Sequence, residues 1–203
     1  MNNILLSNEL VISGKEELSL FNEHQEKLNV TIMSGGSLLI NDFREIYNQR
    51  NHINIVVNKN ATLIYNHSFL VKGKYELKIK ADFADCSSNI ILNIHGVCDG
   101  GFASILIDGD IKPSRINNQL LENVRIINLN GGKAVGIPNI LAHTSKVIAN
   151  HNLTIGALRP DEINYLMSKG ISYDAAKRLI INGFLVKVIS KPEMVTKIKE
   201  KLL

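Results

Sequence analysis

The run HINIVVNKNATLIY, residues 52–65, holds two short stretches of alternating apolar and polar character on either side of Asn58-Lys59-Asn60. Period-two alternation sends successive side chains to opposite faces, so each stretch reads as a strand that buries one face. The same pattern recurs outward from it, in LNVTIM (28–33), YELKIKA (75–81), NIILNIH (89–95), ASILID (103–108), NVRIINL (123–129) and SKVIAN (145–150). Turn formers such as Ser34-Gly35-Gly36 and Asp99-Gly100-Gly101 separate many of these runs. Many short strands suit either a sandwich or barrel of hairpins, or a solenoid whose coils stack on one another. Several breaks are polar connections of irregular length rather than two-residue hairpin turns, which favours the solenoid modestly. Asparagine is abundant; its amide can form ladders up equivalent coils and tolerates the left-handed backbone of sharp corners. No strict repeat is visible, and on periodicity alone both architectures stay open.

The 203 residues are 45% hydrophobic and 21% charged, as in an ordinary soluble protein. No apolar run reaches the roughly 18 residues that span a bilayer. The N-terminus lacks a basic segment followed by an uninterrupted apolar one, so no secretory signal is read and the expected location is cytoplasmic, with no membrane partner. The net charge is +4; nine Lys/Arg and five Asp/Glu lie from Leu158 onward, leaving fourteen of each sign before it. Nucleic-acid binders combine a basic stripe with stacking aromatics; 5% aromatic residues and no Trp argue against that class. Cys86 and Cys98 form neither a disulfide framework nor a zinc spacing, and are expected to be small buried hydrophobes.

The pattern turns helical near Leu158, which divides the chain into a β region, 1–157, and a helical region, 158–203. Arg159-Pro160-Asp161-Glu162 reads as a helix start and Gly170 as its stop. Ser172 is a good N-cap for a second helix, which is expected to stop at Gly183. Pro192 opens a third, with Val195, Ile198 and Leu202 at helical spacing above a lysine-rich face that reads as solvated.

No phosphate loop, GxSxG, HExxH or paired-cysteine zinc motif is present, and Gly100-Gly101 and Gly131-Gly132 read as corners. His24, His52 and His67 stand alone in polar or mixed stretches of sequence. His95 and Cys98, three apart, point to opposite faces of a strand. His143 and His151 are too far apart in an extended chain for one local chelate. Asp82/Asp85 and Asp108/Asp110 are the nearest acidic clusters.

The segment from Ile116 to Leu185 contains Asn118-Gln119-Leu120-Leu121, Pro138, His151 with Thr154, Tyr165-Leu166 with Lys169-Gly170-Ile171, Ala176 and Gly183-Phe184. With these residues at this spacing it resembles the C-terminal half of the SufB/SufD family of iron–sulfur cluster assembly proteins. The resemblance implies a right-handed parallel β-helix followed by a small C-terminal α-helical domain, without the family's usual long N-terminal helical region. It further implies pairing through the β-helix, with a SufB-like paralogue or with itself as a homodimer, and docking of a SufC-like ABC-type ATPase on the helices around Tyr165, Leu166 and Phe184. The position aligned with the SufB sulfur-accepting cysteine is Asn123, and Ala149 stands where SufD-like chains often carry cysteine. The chain therefore looks SufD-like, with His151 as the retained candidate metal ligand to a transient iron–sulfur cluster shared with a partner.

Three functions compete on this basis. The leading one is a non-enzymatic scaffold or accessory subunit in iron–sulfur cluster assembly. A degenerate structural homologue would bind partners but no cluster. A carbohydrate-active β-helix enzyme would need clustered acids for acid/base chemistry.

Overall fold

The computed structural model describes residues 8–23 and 25–202; His24 lies outside them. Ten strands precede three helices: β1 (Glu9–Ile12), β2 (Lys15–Phe21), β3 (Lys27–Ile32), β4 (Ser37–Val57), β5 (Thr62–Phe83), β6 (Asn89–Asp99), β7 (Phe102–Ile111), β8 (Gln119–Leu129), β9 (Lys133–Ala142), β10 (Ile148–Gly156), α1 (Pro160–Ser168), α2 (Tyr173–Val186) and α3 (Pro192–Leu202). Every strand pairing is parallel, so the β region is a parallel solenoid, as expected. One face stacks β2, the first halves of β4 and β5, then β6, β8 and β10. The other stacks β1, β3, the second halves of β4 and β5, then β7 and β9.

Two expectations about the strands need correcting. HINIVV and ATLIY are parts of strands of 21 and 22 residues that round the corner between faces without a break, with a register shift between Ile46 and Asn48. Strands β1, β2 and β9 were also missed; β9 carries Gly136 and Pro138, which weaken a strand signal and are tolerated at an edge.

The abundance of asparagine has the expected cause. Asn152 donates through Nδ2 to Asn123 (3.2 Å), Asn123 to Asn93 (3.1 Å), Asn93 to Asn66 (2.9 Å) and Asn66 to Asn41 (3.2 Å). The rungs are 29, 30, 27 and 25 residues apart in that order. Unequal coils explain why no strict repeat is visible. Corners absorb the difference, and Asn60, Asn117 and Asn130 take φ of 55°, 59° and 50° there.

The interior is mostly Ile, Leu and Val, but the coils of β4 and β5 enclose a charged network. Arg44 Nε donates to both Asp42 oxygens at 3.0 Å, and Tyr65 OH donates to Asp42 Oδ2 at 2.8 Å. His67 Nδ1 lies 3.2 Å from Asp42 Oδ2, and its Nε2 is 3.0 Å from Tyr75 OH. His67, read as solitary, is thus fully buried and partnered; Asp42 reaches it from the preceding coil and Tyr75 from the far half of its own strand, so neither is a sequence neighbour. Gly96 makes room for the neighbouring ring, since a Cβ there would lie 2.1 Å from Phe69 Cζ. Burial opposes ionisation of Asp42, but Arg44 and His67 outweigh it and hold the carboxyl well below the usual carboxylate range.

Helix α1 starts at Pro160, and Gly170 follows it with φ of 84°. Ser172 Oγ accepts from Ala175 N at 3.4 Å. The expected stop at Gly183 is wrong: α2 continues to Val186. Burying Leu185 against the solenoid outweighs the cost of about 1 kcal/mol for a helical glycine. Leu185, Ile189, Met194 and Ile198 pack on Phe43, Leu70, Val97 and Leu129, so helices and solenoid share a second apolar core. Ser190 N and Oγ also donate to Asn41 Oδ1, both at 3.0 Å. The lysine-rich face of α3 is mostly exposed, although Lys201 reaches Glu45 at 3.1 Å.

Replacing Arg44 by Met should destabilise the protein by about 3–5 kcal/mol, because it leaves Asp42 buried without its main partner. The depressed Asp42 pKa contributes stability that is fully present above about pH 4, the unfolded range, and is lost as pH falls below it. Urea unfolding from pH 3 to 6 checks both points, and Asp42→Asn should flatten that part of the acid dependence. An Arg44→Met protein as stable as wild type would show that the network contributes nothing.

Candidate functional site

The last coil, β9 with β10, ends the stack. Among the described residues β9 pairs with β7 and β10 with β8, so each leaves a backbone edge without a strand partner. The outward face of β9 also changes character. The β5 positions in register, through β7, with Val135, Ile137 and Leu141 of β9 are the charged Glu76, Lys78 and Asp82, whereas the three β9 residues are apolar and about half exposed.

His151 lies on β10 opposite Glu122 of β8. The buried residues of β8, Leu120, Glu122, Val124 and Ile126, set the inward parity, and their β10 partners are Ala149, His151, Leu153 and Ile155. His151 is therefore an inward-facing position of the final coil, and it is exposed because no coil follows. Followed down the stack, the ladder reads His151, Glu122, Leu92, Tyr65, Ile40.

Glu122 is the residue that the sequence reading missed. It is 0% exposed, and neither carboxylate oxygen has a hydrogen-bond partner among the described residues. Burial first, then the charge of Asp108, pushes its pKa up to about 8. The signal was present: in LLENVRI the inward positions are Leu120, Glu122, Val124 and Ile126, so period two puts a carboxylate inside.

The other candidates separate. Tyr165 is exposed on α1, with Lys169 Nζ 5.5 Å from its ring centroid. It lines an open groove with Asp161, Glu162, Leu166 and Ile180. Phe184 lies elsewhere: its ring stacks on His95 with centroids 4.5 Å apart, and its carbonyl is 2.8 Å from His95 Nδ1. It lines a second cleft with Arg125, Thr154, Ile180 and Lys187. His95 is pulled below its ordinary pKa by burial, helped by Arg125 and Lys187.

His95 and Cys98 do point opposite ways: Cys98 is fully buried in the interior core, and burial raises its thiol to about 11. Cys86 departs from expectation; it is only half-buried at a corner, its thiol directed to Ser114 O at 3.2 Å. Asn123 is a rung of the amide ladder. His143 is 3.4 Å from Asp110, which also pairs with Lys112, while Asp82 pairs with Lys80 at 3.1 Å. Among the described residues no three His, Cys, Asp or Glu side chains come together as a metal site, and no helix is long and apolar enough to cross a membrane.

The family model described as "SUF system FeS cluster assembly, SufBD core domain" matches residues 49–184, from within β4 to within α2. The chain belongs to the SufBD family. A Mycobacterium leprae protein named as an iron–sulfur cluster assembly SufBD family protein is 30% identical over 140 residues, 63% of this chain and 35% of that protein. A Mycobacterium tuberculosis H37Rv protein of the same description is 30% identical over 139 residues, 63% of this chain and 34% of its own length. The Bacillus subtilis iron–sulfur cluster assembly protein SufD is 33% identical over 112 residues, 54% of this chain and 25% of that protein. These matches span about a third or less of the relatives' length. Membership in the SufBD family associates the chain with iron–sulfur cluster assembly.

A carboxyl whose pKa is raised in the folded state contributes stability that is present below its unfolded pKa and is lost as pH rises through the folded value. For Glu122 that window runs from about pH 4.5 to about 8. The melting temperature of Glu122→Gln minus that of wild type should therefore increase steadily between pH 5 and 8. A difference independent of pH would mean that Glu122 is already ionised and paired in the folded protein.

Proposed function

We propose that the chain is a scaffold subunit of iron–sulfur cluster assembly that pairs through the last coil of its solenoid and docks an ABC-type ATPase of the SufC kind through its helices. The observation that carries this reading is the last coil itself: two strand edges without partners beside an exposed apolar strip, Val135, Ile137 and Leu141. An open, apolar strand edge promotes uncontrolled strand addition unless something covers it. A SufB-like chain or a second copy of this one would cover it, with His151 at the joint. The cluster is cargo here, and most of its ligands would come from the partner, since the interior Cys98 is a buried, protonated thiol.

The ATPase contact is assigned to the groove of Tyr165 and Leu166, where a large exposed aromatic lies beside Asp161 and Glu162. Exposed aromatics of this kind dominate binding energy when a partner desolvates them. Phe184 supports the contact from behind by fixing α2 to β6 through His95. The helical region, 158–203, is the docking part in this reading. It also covers Phe43, Leu70 and Val97, so point substitutions test docking better than truncation.

Two measurements follow. Ile137→Glu should shift sedimentation at tens of micromolar from a paired species to the monomer, without lowering the melting temperature. A wild-type monomer that also fails to pair with a SufB-like chain would sink the pairing. Tyr165→Ala should weaken capture of a SufC-like ATPase by about ten-fold or more, whereas Phe184→Ala should weaken it together with thermal stability. Undiminished capture by Tyr165→Ala would place the contact elsewhere.

A further inference from the structure

On the outward face of the solenoid one register column runs through His95 of β6, Arg125 of β8 and Thr154 of β10. Helix α2 is fastened to this column at His95, through the ring and carbonyl of Phe184. Between the Arg125–Thr154 end of the column and the helices lies a cleft of about 360 Å³, within the size range of small-molecule sites. Arg125, Arg159 and Lys187 line it, against one acid, Glu162. Arg159 is paired with Asp161 at 2.6 Å and with Glu162 at 3.9 Å. Arg125 and Lys187 have no carboxylate within ion-pair distance among the described residues. Both act on His95 and help to depress its pKa, so two uncompensated charges converge on one place. Gly183, in the interior of α2, also lines the cleft. Its φ is not positive, and a Cβ there would meet nothing within 4 Å. A glycine inside a helix is destabilising relative to alanine, so Gly183 weakens α2 and leaves open space on its cleft side.

We infer that this cleft binds a small organic phosphate monoester, with its phosphate between Arg125 and Lys187 and its organic part against Ile127, Leu158 and Ile180. A phosphate monoester carries a charge of about −1.5 to −2 near pH 7, which matches two uncompensated cations, whereas a carboxylate would balance only one. Arg and Lys hold phosphate oxygens by charge-assisted hydrogen bonds. Thr154, in register with Arg125, adds a hydroxyl to the same lining. Ile127, Leu158 and Ile180 give the cleft an apolar wall, which a bare phosphate ion would leave in contact with water; the lining therefore fits a larger molecule. The cleft shares Glu162 and Ile180 with the Tyr165 groove, but Arg125, Thr154 and Lys187 are not part of that groove. The inference therefore does not depend on what docks there.

The test is calorimetric titration of the full chain with phenyl phosphate, at low ionic strength in a phosphate-free buffer. Wild type should bind one molecule per chain, and more weakly as added salt screens the two cations. Arg125→Gln and Lys187→Gln should each weaken binding by about ten-fold. Gly183→Met, a better helix former whose side chain would grow into the cleft, should abolish binding while keeping or raising the melting temperature, so that loss of ligand is separated from loss of fold. Bound phenyl phosphate should also raise the His95 pKa, followed by NMR, because it neutralises the two cations that help to depress it. Inorganic phosphate lacks the organic part and benzoate lacks the second charge, so each should bind about ten-fold or more less tightly. Absence of saturable binding to wild type at millimolar phenyl phosphate would overturn the inference, as would undiminished binding in both glutamine variants or in Gly183→Met. Equal affinity for inorganic phosphate would show an adventitious ion only, and equal affinity for benzoate would refute the charge match.

Discussion

Parallel stacking in register is the constraint on which everything else depends. Each side chain on a solenoid face sits directly over the residue one coil earlier, so a position is judged by its ladder rather than by its neighbours in sequence. Apolar ladders build the interior, and the amide ladder from Asn152 to Asn41 satisfies side-chain polar groups on a face that the helices partly cover. The same rule makes a departure costly. Asp42, Arg44 and His67 are tolerated inside because consecutive coils supply each other's partners. Glu122 has no such support.

The helices are part of this arrangement rather than an appendage to it. Phe43, Leu70 and Val97 face outward from the solenoid, and they are buried because Leu185, Ile189, Met194 and Ile198 cover them. His95 ties the two parts together through the ring and carbonyl of Phe184. The same contact joins α2 to β6, whose lower neighbour β5 carries Tyr65 and His67 of the charged network. The groove at Tyr165 lies outside that seam, which leaves it available to a partner.

Much of this was legible in the sequence. Period-two runs located most strands, Pro160, Gly170 and Ser172 located the helix boundaries, and the abundance of asparagine pointed to an amide ladder. Local signals failed where the deciding contact was remote. Gly183 carries a local stop signal that burial of Leu185 overrides. His67 looks solitary because its partners lie 25 residues back, at Asp42, and eight ahead, at Tyr75. Unequal coils concealed the repeat. At the candidate site His151 was found through the family resemblance, whereas Glu122 needed the register of β8 against β6 and β10 before its inward placement meant anything.

The amide ladder also has a direction. Every Nδ2 donates toward the N-terminal coil, ending on Glu17 Oε1 at 3.3 Å, so the five side-chain dipoles point the same way and add. The stack is therefore a vector, with its electron-rich carbonyl end at Asn152, beside His151 on the last rung. That polarity favours positive charge at the open end, while at the other end the Glu17 carboxylate answers the last donor. It also sets a rule for elongation: any strand that extends this ladder must arrive with a donor facing Asn152 Oδ1, so the two ends of the solenoid are not interchangeable as templates.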